Sequence, residues 1–136
     1  MPTLTAAIEL LPSAEQAKLL LRTMAAVNAA ATCAAGIGAA ERTFSLAQLH
    51  VRAYKELRSR FGLSAQQSVH AIRKAVAQFA REPGKAHRFR TTGSVPLDAR
   101  SVSYKTDAIG VLTLEGRIDV AYRMGAHQHE ALLKAA

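Results

Sequence analysis

Val95 to Met124, VPLDARSVSYKTDAIGVLTLEGRIDVAYRM, is the stretch that decides the fold class. It divides into three strand-like segments, 95–105, 108–114 and 116–124, with Asp107 and Gly116 at or beside the breaks, where tight turns are expected. At the other end of the chain, residues 3–11 (TLTAAIELL) set Leu4, Ala6, Ile8 and Leu10 against Thr3, Thr5, Ala7 and Glu9. That alternation predicts another short strand, ended by Pro12. A lone strand is not stable in water, so its partners have to be the C-terminal hairpins.

Between these ends the apolar period is helical. Ser13 and Gln16 make a capping box, and Ala17, Leu20, Leu21, Met24, Val27 and Ala31 follow at helical spacing. This helix is expected to fade near Gly36 and Gly38, read as a helix-ending turn rather than part of a phosphate-cradling loop. A second helix is predicted from Ser45, with Leu49, Ala53, Tyr54, Leu57 and Phe61 inward and Gly62 as its stop. A third starts at Ser64, again with a Gln three residues on (Gln67), and its inner stripe is Val69, Ile72, Val76 and Phe79. Glu82-Pro83-Gly84 closes it, because proline cannot continue a helix. Residues 85–94, KAHRFRTTGS, read as a basic loop, and the tail HQHEALLKAA is helix-prone.

The expected fold is therefore α+β. A small β-barrel or sheet (residues 1–11 and 95–124) is interrupted by a three-helix lobe with a basic loop (12–94), and a helical tail follows (125–136). A chain of 136 residues has room for one domain, and 49% apolar with 21% charged residues is a globular composition. The single cysteine, Cys33, excludes an internal disulfide framework, and in its alanine run it reads as a structural thiol. MPTLTAAIELL has no basic n-region, so no secretory leader is expected. A membrane span is not expected either, and the predicted location is the cytoplasm, on the nucleoid when DNA is bound.

Charge gives the functional lead. The net charge is +8, with ten bases in residues 52–90: Arg52, Lys55, Arg58, Arg60, Arg73, Lys74, Arg81, Lys85, Arg88 and Arg90. Glu56 and Glu82 are the only acids there, and the rest of the chain is balanced. A concentrated positive field attracts polyanions and releases counterions from phosphates, which makes nucleic acid the first partner to consider. Gln66, Gln67, His70, Arg73 and Lys74 combine amides able to read base edges with cations able to hold phosphates. Arg81, Lys85, Arg88 and Arg90 extend the strip, Phe89 is placed to stack on a base, and Thr91 and Thr92 add hydroxyls. The competing structural reading tucks Phe89 under the barrel and leaves the cations merely solvated.

No catalytic constellation stands out. His127 and His129 are two apart and point away from each other on a helix, which argues against a metal site. Ser, His and Asp occur without a G-x-S-x-G elbow, and Asp98, Asp107, Glu115 and Asp119 are too scattered for a two-metal centre. No cofactor and no catalytic residue is assigned.

Three stretches, in order, carry a family resemblance: ELLPSAEQAKLLLRTMAAVNAA, FGLSAQQSVHAIRKAVAQF and HRFRTTGSVPLDARSVSYK…VLTLEGRIDVAY. Together they resemble the N-terminal part of the TnpB transposon-associated proteins, also called OrfB transposases and related to the type V CRISPR effectors. The resemblance implies a wedge β-barrel and a helical recognition lobe that grip a guide RNA and read double-stranded DNA next to a short motif. By position, it would set Gln66, Gln67, His70, Arg73 and Lys74 toward that duplex and Thr91 and Thr92 in the loop returning to the barrel. The family's RuvC acids would lie beyond Ala136, so the expectation is a binding module that is not an enzyme by itself. A fragment, a decayed gene and a stand-alone derivative all fit this expectation. The rival reading is a regulatory remnant that docks on a full-length or split nuclease polypeptide.

Overall fold

Local capping chemistry starts each of the three helices. In the computed structural model, which describes residues 8–98 and 100–123, α1 spans Ala14–Glu41, α2 Leu46–Phe61 and α3 Ala65–Arg81. Ser13, Ser45 and Ser64 are the N-caps, and their hydroxyls accept from the backbone amides of Gln16, Gln48 and Gln67. In α1 and α3 the glutamine side chain also reaches back to the cap amide, completing the capping box. Gly62 ends α2 in the left-handed conformation, which glycine enters without a Cβ penalty.

The strands are β1 (Glu9–Leu10), β2 (Val102–Tyr104), β3 (Ala108–Thr113) and β4 (Gly116–Arg123). They form an open antiparallel sheet in the order β1-β4-β3-β2. Its first strand comes from the N-terminal end, with Glu9 opposite Arg123 and Leu10 opposite Tyr122. The fold class is α+β, with a sheet rather than a closed barrel among the described residues. Residues 3–7 of the expected first strand and the expected helical tail lie outside the described residues.

The core sits in the helical layer. Val27, Ala30, Ala31, Ala34 and Ala35 of α1 pack with Leu49, Ala53 and Leu57 of α2 and with Ala71, Ile72, Ala75 and Phe79 of α3. The small side chains of α1 let its neighbours approach closely. Polar clips join this layer to the sheet. Gln16 Nε2 donates to the Asp119 carbonyl at 2.8 Å, the Leu114 amide donates to Thr23 Oγ1 at 3.1 Å, and Arg22 pairs with Glu115 at 2.8 Å.

Two expectations need correction. First, α1 does not fade at Gly36 and Gly38 but runs on to Glu41, and Arg42 takes the left-handed capping position. Gly38 serves packing instead: a Cβ there would meet the Phe79 ring at 2.7 Å and the Thr43 carbonyl at 2.8 Å, whereas Gly36 faces open space. Second, no strand covers the described residues of 95–101. Asp98 Oδ1 accepts from the amides of Arg100 and Ser101, a local turn that competes with strand pairing, and β2 begins only at Val102. By length and composition, α1 is also long and apolar enough to cross a membrane. It nonetheless contributes the largest share of the helical core, as the central helix of a globular layer does.

Candidate functional site

The basic loop is bound to the helices through one buried side chain. Asn28 on α1, fully buried, donates from Nδ2 to the carbonyls of Thr91 (3.2 Å) and Gly93 (2.8 Å). Its Oδ1 accepts from Lys74 Nζ, which also donates to the Ser94 carbonyl. One helical turn along α1, Thr32 Oγ1 accepts from the Phe89 amide at 2.9 Å. The backbone from 89 to 94 is therefore tied down at four points. Burial of Lys74 lowers its pKa from the ordinary lysine value.

This anchoring sorts the predicted residues. His87 and Phe89 are half-buried, their rings edge to face at 4.7 Å, and Phe89 packs on the helical core with Lys74 Nζ 5.0 Å from its ring centre. Arg88, Arg90, Thr91 and Thr92 are exposed. Arg81 and Lys85 are exposed as well, and Lys85 lies 3.8 Å from Glu82. Arg81, Arg88 and Arg90 have no acidic partner among the described residues.

The α3 residues divide differently. Gln67 is 4% exposed; its amide completes the capping box and donates to the Leu112 carbonyl at 3.4 Å. His70 is 3% exposed, with Nε2 at 2.9 Å from Ser101 Oγ. Both are buried and hydrogen-bonded within the fold, so the expectation that they contact nucleic acid is corrected. A side chain that caps its own helix is not available to read a base edge. Gln66 donates to Asp98 Oδ2 at 2.9 Å, and Arg73 lies 3.8 Å from the same oxygen. Lys74 is a loop clip rather than a free cation. Phe89 is held between the two readings: it is seated on the helical layer, yet it lines a surface groove with Arg73, Arg81 and Pro96.

The fold also gathers His70, Ser101 and Asp98, three residue types of a hydrolytic triad. The geometry is not that of a triad. Asp98 Oδ1 meets Ser101 Oγ at 3.1 Å and the same His70 nitrogen at 3.7 Å, so the acid does not orient the imidazole through its far nitrogen. Ser101 is also buried. The cluster latches the 98–101 turn to α3. Burial lowers the His70 pKa below its ordinary value, Asp98 opposes this, and Arg73 adds to it. Partial burial pushes Asp98 upward, but hydrogen bonds from Arg100 and Ser101 and the nearby His70 outweigh it and hold the carboxyl below its usual range.

Among the described residues no group of three His, Cys, Asp or Glu side chains could hold a metal ion; the 127–129 histidines lie outside them. Cys33 is half-buried, its pKa raised by burial and by Glu56 against the opposing pull of Arg60. In the comparisons with known proteins, no family model, no curated protein and no solved structure matches this chain.

Proposed function

We propose that the chain is a nucleic-acid-binding module that holds phosphates without catalysing a reaction of its own. One observation carries this reading: Arg81, Arg88 and Arg90 lack acidic partners among the described residues, and the loop bearing two of them is fastened by Asn28. No acid occurs from Pro83 to Leu97, so nothing in that segment cancels the field of Arg88 and Arg90. Anchoring lowers the ordering entropy lost when the loop meets a polyanion. Phosphate neutralisation by these arginines supplies affinity and a steep salt dependence. The resemblance to TnpB-type proteins extends the proposal to a guide RNA and to double-stranded DNA beside a short motif, as the wedge and recognition part of an RNA-guided system.

The test is to purify the protein from its host and sequence the RNA that accompanies it, then titrate that RNA across a salt series. A discrete structured RNA whose affinity falls steeply with salt supports the proposal. Absence of bound RNA, together with salt-independent or no binding to RNA and DNA probes, sinks it.

One observation favours the rival docking reading. A groove of about 560 Å³ on one face of the sheet is lined by Leu10, Leu97, Val102, Tyr104, Ile109 and Val111, and Leu10, Leu97 and Tyr104 are exposed. Apolar patches of this kind suit a protein partner, here a nuclease polypeptide. Co-expression with such a polypeptide followed by gel filtration separates the readings: a stable complex lost in Tyr104→Glu supports docking.

A further inference from the structure

A second groove, about 530 Å³, runs between the outer face of α3 and the segment 94–96. Its apolar lining is Ala77, Phe89, Val95 and Pro96, and its polar lining includes Arg73, Gln78 and Arg81. Arg73, Ala77 and Arg81 are spaced four residues apart on α3. The arginines thus stand about 12 Å apart along the helix axis, with the small Ala77 midway.

We infer that this groove receives one unpaired nucleobase of an RNA or DNA strand, with Arg73 and Arg81 on the flanking phosphates. The inference rests on the nucleic-acid reading above and sharpens it, because it requires a base outside a duplex. Its volume falls within the range of small-ligand pockets and is far too small for a double helix. Phe89 lines the groove with a half-buried aromatic ring against which a base can pack. Lys74 Nζ lies over that ring, 5.0 Å from its centre, and adds positive charge at the groove. The Gln78 amide supplies a donor and an acceptor for a base edge. An apolar peptide would leave the Arg81 guanidinium without an anion and Arg73 with Asp98 alone, whereas a nucleotide matches floor and rim together.

The experiment compares four probes: a perfect RNA duplex, the same duplex with a single-base bulge, and unstructured RNA and DNA oligonucleotides. Ala77→Leu fills the groove from an exposed helical position without altering charge. The expected result is roughly tenfold tighter binding of the bulged and single-stranded probes than of the perfect duplex. Ala77→Leu abolishes that preference and leaves the duplex affinity and its salt slope unchanged. The two single strands report whether RNA or DNA is favoured. A fluorescent 2-aminopurine at the bulge provides an independent readout, quenched on binding to the native protein and less so to Phe89→Leu. Equal affinity for bulged and perfect duplexes, both falling in Arg81→Gln, overturns the groove while the phosphate-binding reading stands. Failure of every probe to bind overturns both.

Discussion

Two halves of the same basic segment behave differently. On α2, Arg52 pairs with Glu41 at 3.1 Å, Arg60 lies 3.5 Å from Glu56, and Arg58 donates to the Leu63 carbonyl and covers the Tyr54 ring; Lys55 alone has no such partner. At the end of α3 and beyond it, Arg81, Arg88 and Arg90 form no ion pair among the described residues, and two of them sit on a loop fastened to α1. Exposed ion pairs add little stability, yet each carboxylate cancels a nearby cation within a screening length. Counting bases along a chain therefore overstates the field of one half and understates how concentrated it is in the other.

The largest expected effect tests that contrast directly. Replacing Arg81, Arg88 and Arg90 together with glutamine should weaken RNA binding at low salt by on the order of a hundredfold or more and reduce the log–log salt slope by roughly three. The same treatment of Arg52, Arg58 and Arg60 should change the slope by less than about one. Equal losses from the two triples, read by fluorescence anisotropy, would break the comparison.

Asn28→Ala comes next. It removes two loop hydrogen bonds and leaves the Lys74 ammonium short of a partner, a cost of about 2–3 kcal/mol in urea unfolding. Amide exchange should accelerate at Phe89 and Gly93 while α2 stays protected. Gly38→Ala presses on Phe79 of the helix that carries Arg81. Overpacking of about 1–3 kcal/mol outweighs the helix-propensity gain of roughly 1 kcal/mol. Gly36→Ala, with open space around it, should be neutral or slightly stabilising, and equal melting temperatures for the two variants would count against the packing role.

The smallest effect concerns the latch. Because the folded state lowers the His70 pKa, the unfolded chain binds the proton first as pH falls below about 6.5. Stability should be flat above that value and decline below it, more steeply in Asp98→Asn, which loses the one acid favouring the imidazolium. His70→Gln should flatten this acid limb; an unchanged profile would show that another group titrates.

How much was legible varied with the distance over which each residue acts. Gln67 shows the limit well. Its place three residues after Ser64 signals a capping box, a local pattern that already argues against reading bases. Burial of His70 had no comparable signal, since it depends on Ser101, thirty-one residues away. Asn28 gave no warning within an alanine-rich stretch, because its partners lie more than sixty residues further on.

By itself, the sequence determined the α+β class, the three helix starts and the strand tendency of residues 108–123, because caps and apolar periods act over a few residues. It also concentrated the excess charge in residues 52–90. Only the tertiary structure decided which cations are neutralised, which polar side chains are spent as fasteners, and how Gly38 lets α1 meet α3. Each of those outcomes depends on contacts between elements far apart in the chain, and such contacts exist only once the helices and the sheet have packed.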